Sequence, residues 1–286
     1  MRIASYNVRN LLAADEAALA GVPVKTEKEI LALAGTIDAV RADVLLLQEV
    51  GSRQILASLN DRLARPYPYL DVQPGNSPRG IHLAIMSREP YDLTSHREAT
   101  LLDEAGDDLH EYDSEADAAA ARLRPVRFQR DLMLAEISLD DAPTVALFNV
   151  HLKSRTNRPW RRLAADVIRA AEVRHLSAVV SDYVTAHPRR PLVIGGDFND
   201  TRSSPALAPL FALPLSDPMG EVLARTGRNP STYWPKRRMR LDLLLLSPSA
   251  RSRLVPGSEK IHAGTRARRA SDHYPVSIDL GYTAAQ

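Results

Sequence analysis

Short apolar runs recur along the chain, and many begin or end at a carboxylate, an amide or an imidazole. Runs of this kind, bounded by turn residues, read as buried strands. The clearest covers 191–196, where four residues, Pro191-Leu192-Val193-Ile194, lead through Gly195-Gly196 into Asp197-Phe198-Asn199-Asp200. Such a strand delivers Asp197 and Asn199 to its carboxyl end, where α/β proteins tend to place their chemistry. Further strands are predicted over 3–8, 43–49, 80–88, 131–139, 144–150, 240–246 and 274–280. The pair 131–139 and 144–150 reads as a hairpin turning at Asp140-Asp141-Ala142-Pro143.

The periodicity switches to that of a helix in three places. Thr26 and Glu29 form a capping box ahead of Ile30, Leu33, Ile37 and Val40, which predicts an amphipathic helix over 26–41. A second helix is predicted over 53–64. A third is predicted from Pro159, a residue suited to a first helical turn, to about Tyr183 or Thr185. Residues 201–235 are Pro-rich and read as loop. Residues 98–121 hold many carboxylates and no Lys or Arg, so they read as a solvated acidic loop or insertion.

Composition narrows the chemistry. The chain has 286 residues, which on length alone allows about two domains. It has no cysteine, so disulfides and thiolate metal sites are excluded. Any metal must then take oxygen or imidazole ligands, which favours hard ions such as Mg²⁺ or Mn²⁺. The net charge is +2, too balanced to mark a nucleic-acid binder by itself. No stretch reaches the roughly 20 apolar residues of a membrane span. The opening Met1-Arg2-Ile3 already reads as strand rather than signal peptide. The expectation is a cytoplasmic protein with no obligate protein partner.

The polar residues at the strand boundaries are the candidate chemistry. Asn7, Glu49, His151 and Asp197 lie at strand carboxyl ends, and Asp242 and Asp272-His273 at strand starts. In a sheet with antiparallel neighbours one strand's end lies beside the next strand's start, so all can face one rim. A rim shared by residues 7 and 273 replaces the two-domain reading with one domain over 1–286. Each residue alone has a plainer reading as a turn former, a solvated carboxylate or a structural histidine, and Asp242 as the ion-pair partner of Arg240. Basic residues border the same motifs: Lys153 and Arg155 with Arg158, Arg161 and Arg162, then Lys236-Arg237-Arg238, then Arg266, Arg268 and Arg269. Positive potential there would draw in an anionic substrate. Arg130, just before the strand at 131–139, is a further candidate for phosphate contact.

Asn7, Gln48-Glu49, His151, Gly196-Asp197-Phe198-Asn199, Leu241-Asp242 and Ser271-Asp272-His273 closely resemble the endonuclease/exonuclease/phosphatase superfamily, in order and across nearly the whole chain. That group includes deoxyribonuclease I, exonuclease III, inositol polyphosphate 5-phosphatases and neutral sphingomyelinases. The resemblance implies a four-layer α/β/β/α sandwich of two packed mixed β-sheets flanked by helices. It implies a divalent-metal-dependent hydrolase of phosphate esters that uses one or two Mg²⁺ or Mn²⁺ ions. Glu49 would be the principal ligand, helped by Asn7 and Asp272, with Asp197 and Asn199 able to hold a second ion. Asp197 would orient and deprotonate the attacking water, and Asn199 would donate to a phosphoryl oxygen. His273 would neutralise charge there, with Asp242 behind it fixing its tautomer. His151 would bind phosphate or protonate the leaving group, and Lys153, Arg155 and Arg130 would contact substrate. A phosphodiesterase or nuclease acting on DNA or RNA is the first reading. A phosphomonoesterase of the inositol-phosphatase type, or a sphingomyelinase-like lipid hydrolase, is the alternative. A binding protein that has lost catalysis on this fold is the remote one.

Overall fold

The computed structural model describes residues 1–140, 142–227, 231–234 and 239–281. Asp141 of the predicted hairpin turn and the cluster Lys236-Arg237-Arg238 lie outside them. In chain order the strands are Arg2–Leu11 (β1), Val44–Val50 (β2), Tyr69–Gln73 (β3), His82–Ser87 (β4), Tyr91–Ser95 (β5), His110–Glu111 (β6), Arg124–Pro125 (β7), Leu132–Leu139 (β8), Ala142–His151 (β9), Leu192–Asp197 (β10), Asp242–Leu246 (β11), Lys260–Ile261 (β12) and Val276–Asp279 (β13). One mixed sheet has the order β12-β13-β1-β2-β4-β3 and the other β11-β10-β9-β8-β5, with β6 and β7 forming a small separate pair. The main helices are Ala14–Ala20 (α1), Glu27–Val40 (α2), Arg53–Asn60 (α3), Glu115–Ala119 (α4), Ala165–Ala186 (α5), Ala208–Phe211 (α6), Pro218–Thr226 (α7), Pro248–Arg251 (α8) and Thr265–Ala270 (α9).

Alternation along the strands builds the layers, because successive side chains point to opposite faces. In β2, Val44 and Leu46 face the other sheet while Leu45 and Leu47 join α2 and α3 residues such as Leu33 and Leu56. In β10, Val193 faces inward while Leu192 and Ile194 pack with Ile168, Leu176 and Val180 of α5. Three apolar seams therefore separate four layers: helices, sheet, sheet, helices. The sheets are also pinned by a fully buried polar contact, in which Gln48 Nε2 donates to Asn149 Oδ1 at 2.7 Å. Asn149 Nδ2 in turn donates to the Leu47 and Ala84 carbonyls, both at 3.0 Å. No helix among the described residues is long and apolar enough to cross a membrane.

Three expectations are corrected. The third helix starts at Ala165, not Pro159. The backbone N–H groups of Arg162 and Leu163 donate to Glu111, both at 2.8 Å, and that of Ala165 to Asn157 Oδ1 at 2.7 Å. These side chains hold 159–164 as a loop. The acidic stretch is not all solvated: Leu101 and Leu109 are buried in the α5 seam, and Glu111 is buried among the N–H groups it accepts. Helix α3 ends at Asn60, short of residue 64, where the Asn60 side chain turns to bond both backbone groups of Tyr67.

Candidate active site

Strand register brings the predicted residues together. Strand β10 runs parallel to β9 with Asp197 opposite His151, and antiparallel to β11 with Asp197 opposite Asp242. In the other sheet, parallel β1 and β2 set Asn7 opposite Gln48, one residue before Glu49. Strand β13 pairs antiparallel with β1, so Asp272 and His273, which precede it, fall on the same rim. Asn7 joins the two halves: its Nδ2 lies 3.0 Å from Asp197 Oδ2 and 3.4 Å from Glu49 Oε1.

The backbone is bent to expose these groups. Glu49, Asn199, Arg9 and Asn10 all have φ between 49° and 64°, the left-handed region that costs a non-glycine residue energy. Register slips between Asn7 and Leu11 of β1 and between Gln48 and Val50 of β2, so Asn7 and Glu49 both sit at bulges. Asn10 N–H then donates to Glu49 Oε2 at 3.0 Å, and Arg9 N–H to Asn7 Oδ1 at 3.0 Å. Gly196 has φ 153°, and a Cβ there would lie 2.0 Å from the Val150 carbonyl oxygen, so only glycine lets the chain pass into Asp197. Asn199 is fixed from both sides: its N–H donates to Asp197 Oδ1 at 2.8 Å and its Nδ2 to Leu152 O at 2.9 Å.

Two buried histidines flank one oxygen. His151 Nε2 is 3.5 Å and His273 Nε2 3.7 Å from Asp197 Oδ2. His273 Nδ1 is 2.8 Å from Asp242 Oδ2. Burial disfavours a charge on His273, but the Coulombic pull of Asp242 and then Asp197 outweighs it and raises its pKa to about 10. His151 is driven the other way, well below its ordinary value, by burial and then by the positive charges of Arg130, His273 and Arg79. Burial raises Asp197, against the opposing pull of His273.

Asp197, Asp242 and His273 form a buried acidic and histidine cluster whose ligand atoms lie within 4.8 Å of one another. An imidazole that keeps both protons is a poor metal ligand, however, so the hard oxygens of Glu49, Asn7 and Asp272 are the better donor set. Among the described residues Glu49 Oε1 has one hydrogen bond, from Asn7 Nδ2 at 3.4 Å, although the side chain is only 15% exposed. Asp272 Oδ2 has Arg9 Nε at 3.9 Å. Carboxylates this poorly neutralised fit a divalent cation.

The basic residues divide. Arg130 is 5% exposed and its guanidinium has one hydrogen bond among the described residues, to Leu152 O at 3.4 Å, with Nε unpartnered. A buried cation without a carboxylate is expensive unless an anion is to arrive. Lys153 differs from expectation: its ammonium donates to the Ser154 and Thr156 carbonyls at 3.1 and 3.2 Å, closing its own loop. Arg155 is exposed, with Nη1 3.3 Å from Met239 Sδ. Arg240 pairs with Asp217 through both nitrogens, which frees Asp242 from the ion pair that its proximity in sequence suggests.

Other contributors show little in the sequence: Ser271 stands there only as the neighbour of Asp272-His273, and Thr232 and Tyr233 carry no signal. Thr232 Oγ1 accepts from the N–H groups of Leu241 and Asp242, at 2.9 and 3.0 Å, and fixes the start of β11. Ser271 Oγ donates to Asn7 O at 2.7 Å and accepts from His273 N–H at 3.1 Å. The Tyr233 ring packs 5.1 Å from that of His273. Thr232 and Tyr233 lie in a Pro-rich stretch with no apolar period to place them.

The sequence matches the family model described as Endonuclease/Exonuclease/phosphatase family over residues 4–273. Comparison with curated proteins gives no match. Among solved structures, the human Nocturnin catalytic domain with bound sulfate is 18% identical, with 99% of this chain and 94% of that one covered and a TM-score of 0.62. Truncated Caenorhabditis elegans TDP2 is 18% identical, with 97% and 95% covered and a TM-score of 0.56. A mannosyl-6-phosphatase from Bacteroides thetaiotaomicron is 15% identical, with 99% and 100% covered and a TM-score of 0.57. At these identities the structures establish a shared fold.

Proposed function

Because the chain belongs to the endonuclease/exonuclease/phosphatase family, we propose that it is a phosphoester hydrolase that directs water in line at phosphorus with the help of a divalent cation. The observation that carries this reading is Asp197 Oδ2, met by Asn7 Nδ2 at 3.0 Å, His151 Nε2 at 3.5 Å and His273 Nε2 at 3.7 Å. A carboxylate so placed, with its pKa raised by burial, is fitted to orient a water and take its proton. The charged His273, braced by Asp242, is fitted to hold a phosphoryl oxygen. Arg130, buried and with no direct ion pair among the described residues, is fitted to take another. His151 is held neutral, so it serves as a hydrogen-bond donor to phosphate rather than as the acid for the leaving group. A divalent cation at Glu49, Asn7 and Asp272 would supply charge neutralisation at the phosphoryl group, and Mg²⁺ and Mn²⁺ suit those oxygens. Asn199 offers the remaining N–H of its amide. We read the chain as one domain, since residues from 7 to 273 build this one pocket.

The reading favours a phosphodiester or phosphomonoester over a scaffold without activity, because the constellation is intact. The test is a panel of plasmid DNA, single-stranded DNA, bis-p-nitrophenyl phosphate, p-nitrophenyl phosphate and sphingomyelin, each in Mg²⁺ or Mn²⁺ with and without chelator. We expect turnover of at least one ester that chelator abolishes and that Asp197→Asn lowers by about 10²–10⁴. Turnover indifferent to chelator would remove the metal from the mechanism, and no turnover on any ester would remove the hydrolase.

A further inference from the structure

A cavity of about 450 Å³ is lined in part by the chain neighbours of Arg79 and Arg130. Its walls include Pro78, Gln129, Arg161, Ile168, Arg124 and Asp113. Two chain neighbours tie it to the active rim. Gln129 precedes Arg130, and Pro78 precedes Arg79, whose charge acts on His151. Arg161 lies close enough to Lys153 to add to the burial and Arg130 charge that lower its pKa. The acidic segment shapes this space: Glu111 accepts the N–H groups of Arg162 and Leu163 at 2.8 Å and so fixes the loop that presents Arg161.

The charges in the cavity are not equivalent. Both Glu111 oxygens are spent on backbone N–H groups. Asp113 lies 3.6 Å from Arg124, and Arg127 pairs with Glu98 at 2.6 Å. Arg161 feels Glu111 and Asp113 only at longer range: its guanidinium lies 5.1 Å above the Trp160 ring and makes no hydrogen bond or ion pair among the described residues. A stacked guanidinium keeps its edge N–H groups free, and those match the oxygens of a phosphate or carboxylate.

We infer that this cavity binds the part of the substrate beyond the scissile phosphate, and that Arg161 holds a second anionic group there. This rests on the hydrolase reading for the identity of the first site. The substrate class it implies is a compact ester with two anionic groups, of a size that a pocket of this volume encloses, rather than an extended duplex.

The probes are fructose 1,6-bisphosphate and fructose 6-phosphate, as competitors of p-nitrophenyl phosphate and bis-p-nitrophenyl phosphate hydrolysis in Mg²⁺ or Mn²⁺. In the wild type the bisphosphate should inhibit about tenfold more tightly, the effect of one charge-assisted contact. Arg161→Gln should bring the ratio of the two inhibition constants close to one while leaving that of fructose 6-phosphate in place, and Arg161→Lys should restore part of it. A ratio near one in the wild type, or the same ratio in wild type and Arg161→Gln, would overturn the inference while sparing the hydrolase. If neither reporter turns over, the hydrolase reading is what fails. Calorimetric titration of the same two ligands into wild type and Arg161→Gln then decides the cavity by the same ratio.

Discussion

His151 and His273 both lie against the same Asp197 oxygen and both are buried, yet their pKa values are displaced in opposite directions. The difference is what lies behind each ring. His273 has Asp242 at 2.8 Å on its far nitrogen. His151 has nothing there: its Nδ1 is buried and unpartnered among the described residues, and burial together with the positive charges of Arg130, His273 and Arg79 lowers its pKa although Asp197 lies 3.5 Å from its Nε2. Burial alone discharges an imidazole, and a carboxylate behind it reverses that. The carboxylate's position is set in turn by β10–β11 register and by Thr232, so the charge state of the site is a product of strand pairing.

The largest expected effect comes from erasing that difference. Asp242→Asn leaves the shape behind His273 and removes the charge. Turnover should fall on the order of 10³–10⁴, as when the carboxylate behind a catalytic imidazole becomes an amide. The His273 ring should then lose its proton several pH units earlier in an NMR titration of the metal-free protein. The sign also reaches stability. A histidine raised from 6.5 to about 10 stabilises the fold fully below its unfolded value, and that contribution is lost as pH climbs through about 10. Asp242→Asn should therefore destabilise most below about pH 6.5, and progressively less as pH rises towards 10. An unshifted His273 titration would show that Asp197 alone holds its charge.

The next test sharpens the other side. His151→Ala should lower turnover by about 10²–10³, the cost of one donor at a developing charge. His151→Gln keeps an N–H and should recover most of it, with the pH profile unmoved in both. If Gln is no better than Ala, the ring is passing a proton and its neutral state is not its working state.

Position relative to apolar runs explains what could be read in advance. Asn7, Glu49, His151, Asp197, Asp242 and His273 stand out because each interrupts a run at a strand end, and strand register does the rest. Strands β3 and β5 carry Asp71, Gln73, Asp92 and Ser95 on half-exposed edges, so no continuous apolar run marks them. The left-handed turn at Arg9 and Asn10 has no glycine to announce it. Lys153 follows His151 and invites a phosphate role, yet nothing in the spacing says that its ammonium folds back on the Ser154 and Thr156 carbonyls. Chemistry at element ends is local and shows in sequence; support from distant loops, such as Thr232 beneath Asp242, is not.

The smallest effect expected lies behind the site, where Glu172 offers a third case of the same competition. It faces the positive charges of Arg130, Lys153 and Arg169, but it is fully buried, accepts one N–H from Lys153 at 2.6 Å, and has Oε1 unpartnered. Burial wins, and its pKa rises from 4.5 to about 7. The folded protein therefore holds a proton there that the unfolded chain has lost between those values, so stability falls as pH rises through that window and stays lower above it. The size is about 3 kcal/mol at most, or roughly 5–10 °C in melting temperature for a chain near this length. Glu172→Gln keeps the acceptor for Lys153 N–H and has no proton to lose. Its melting temperature relative to wild type should rise steadily from pH 5 to pH 8. A constant difference across that range would mean that the three cations hold Glu172 ionised throughout, and that proximity to positive charge outweighs burial here as carboxylate charge does at His273.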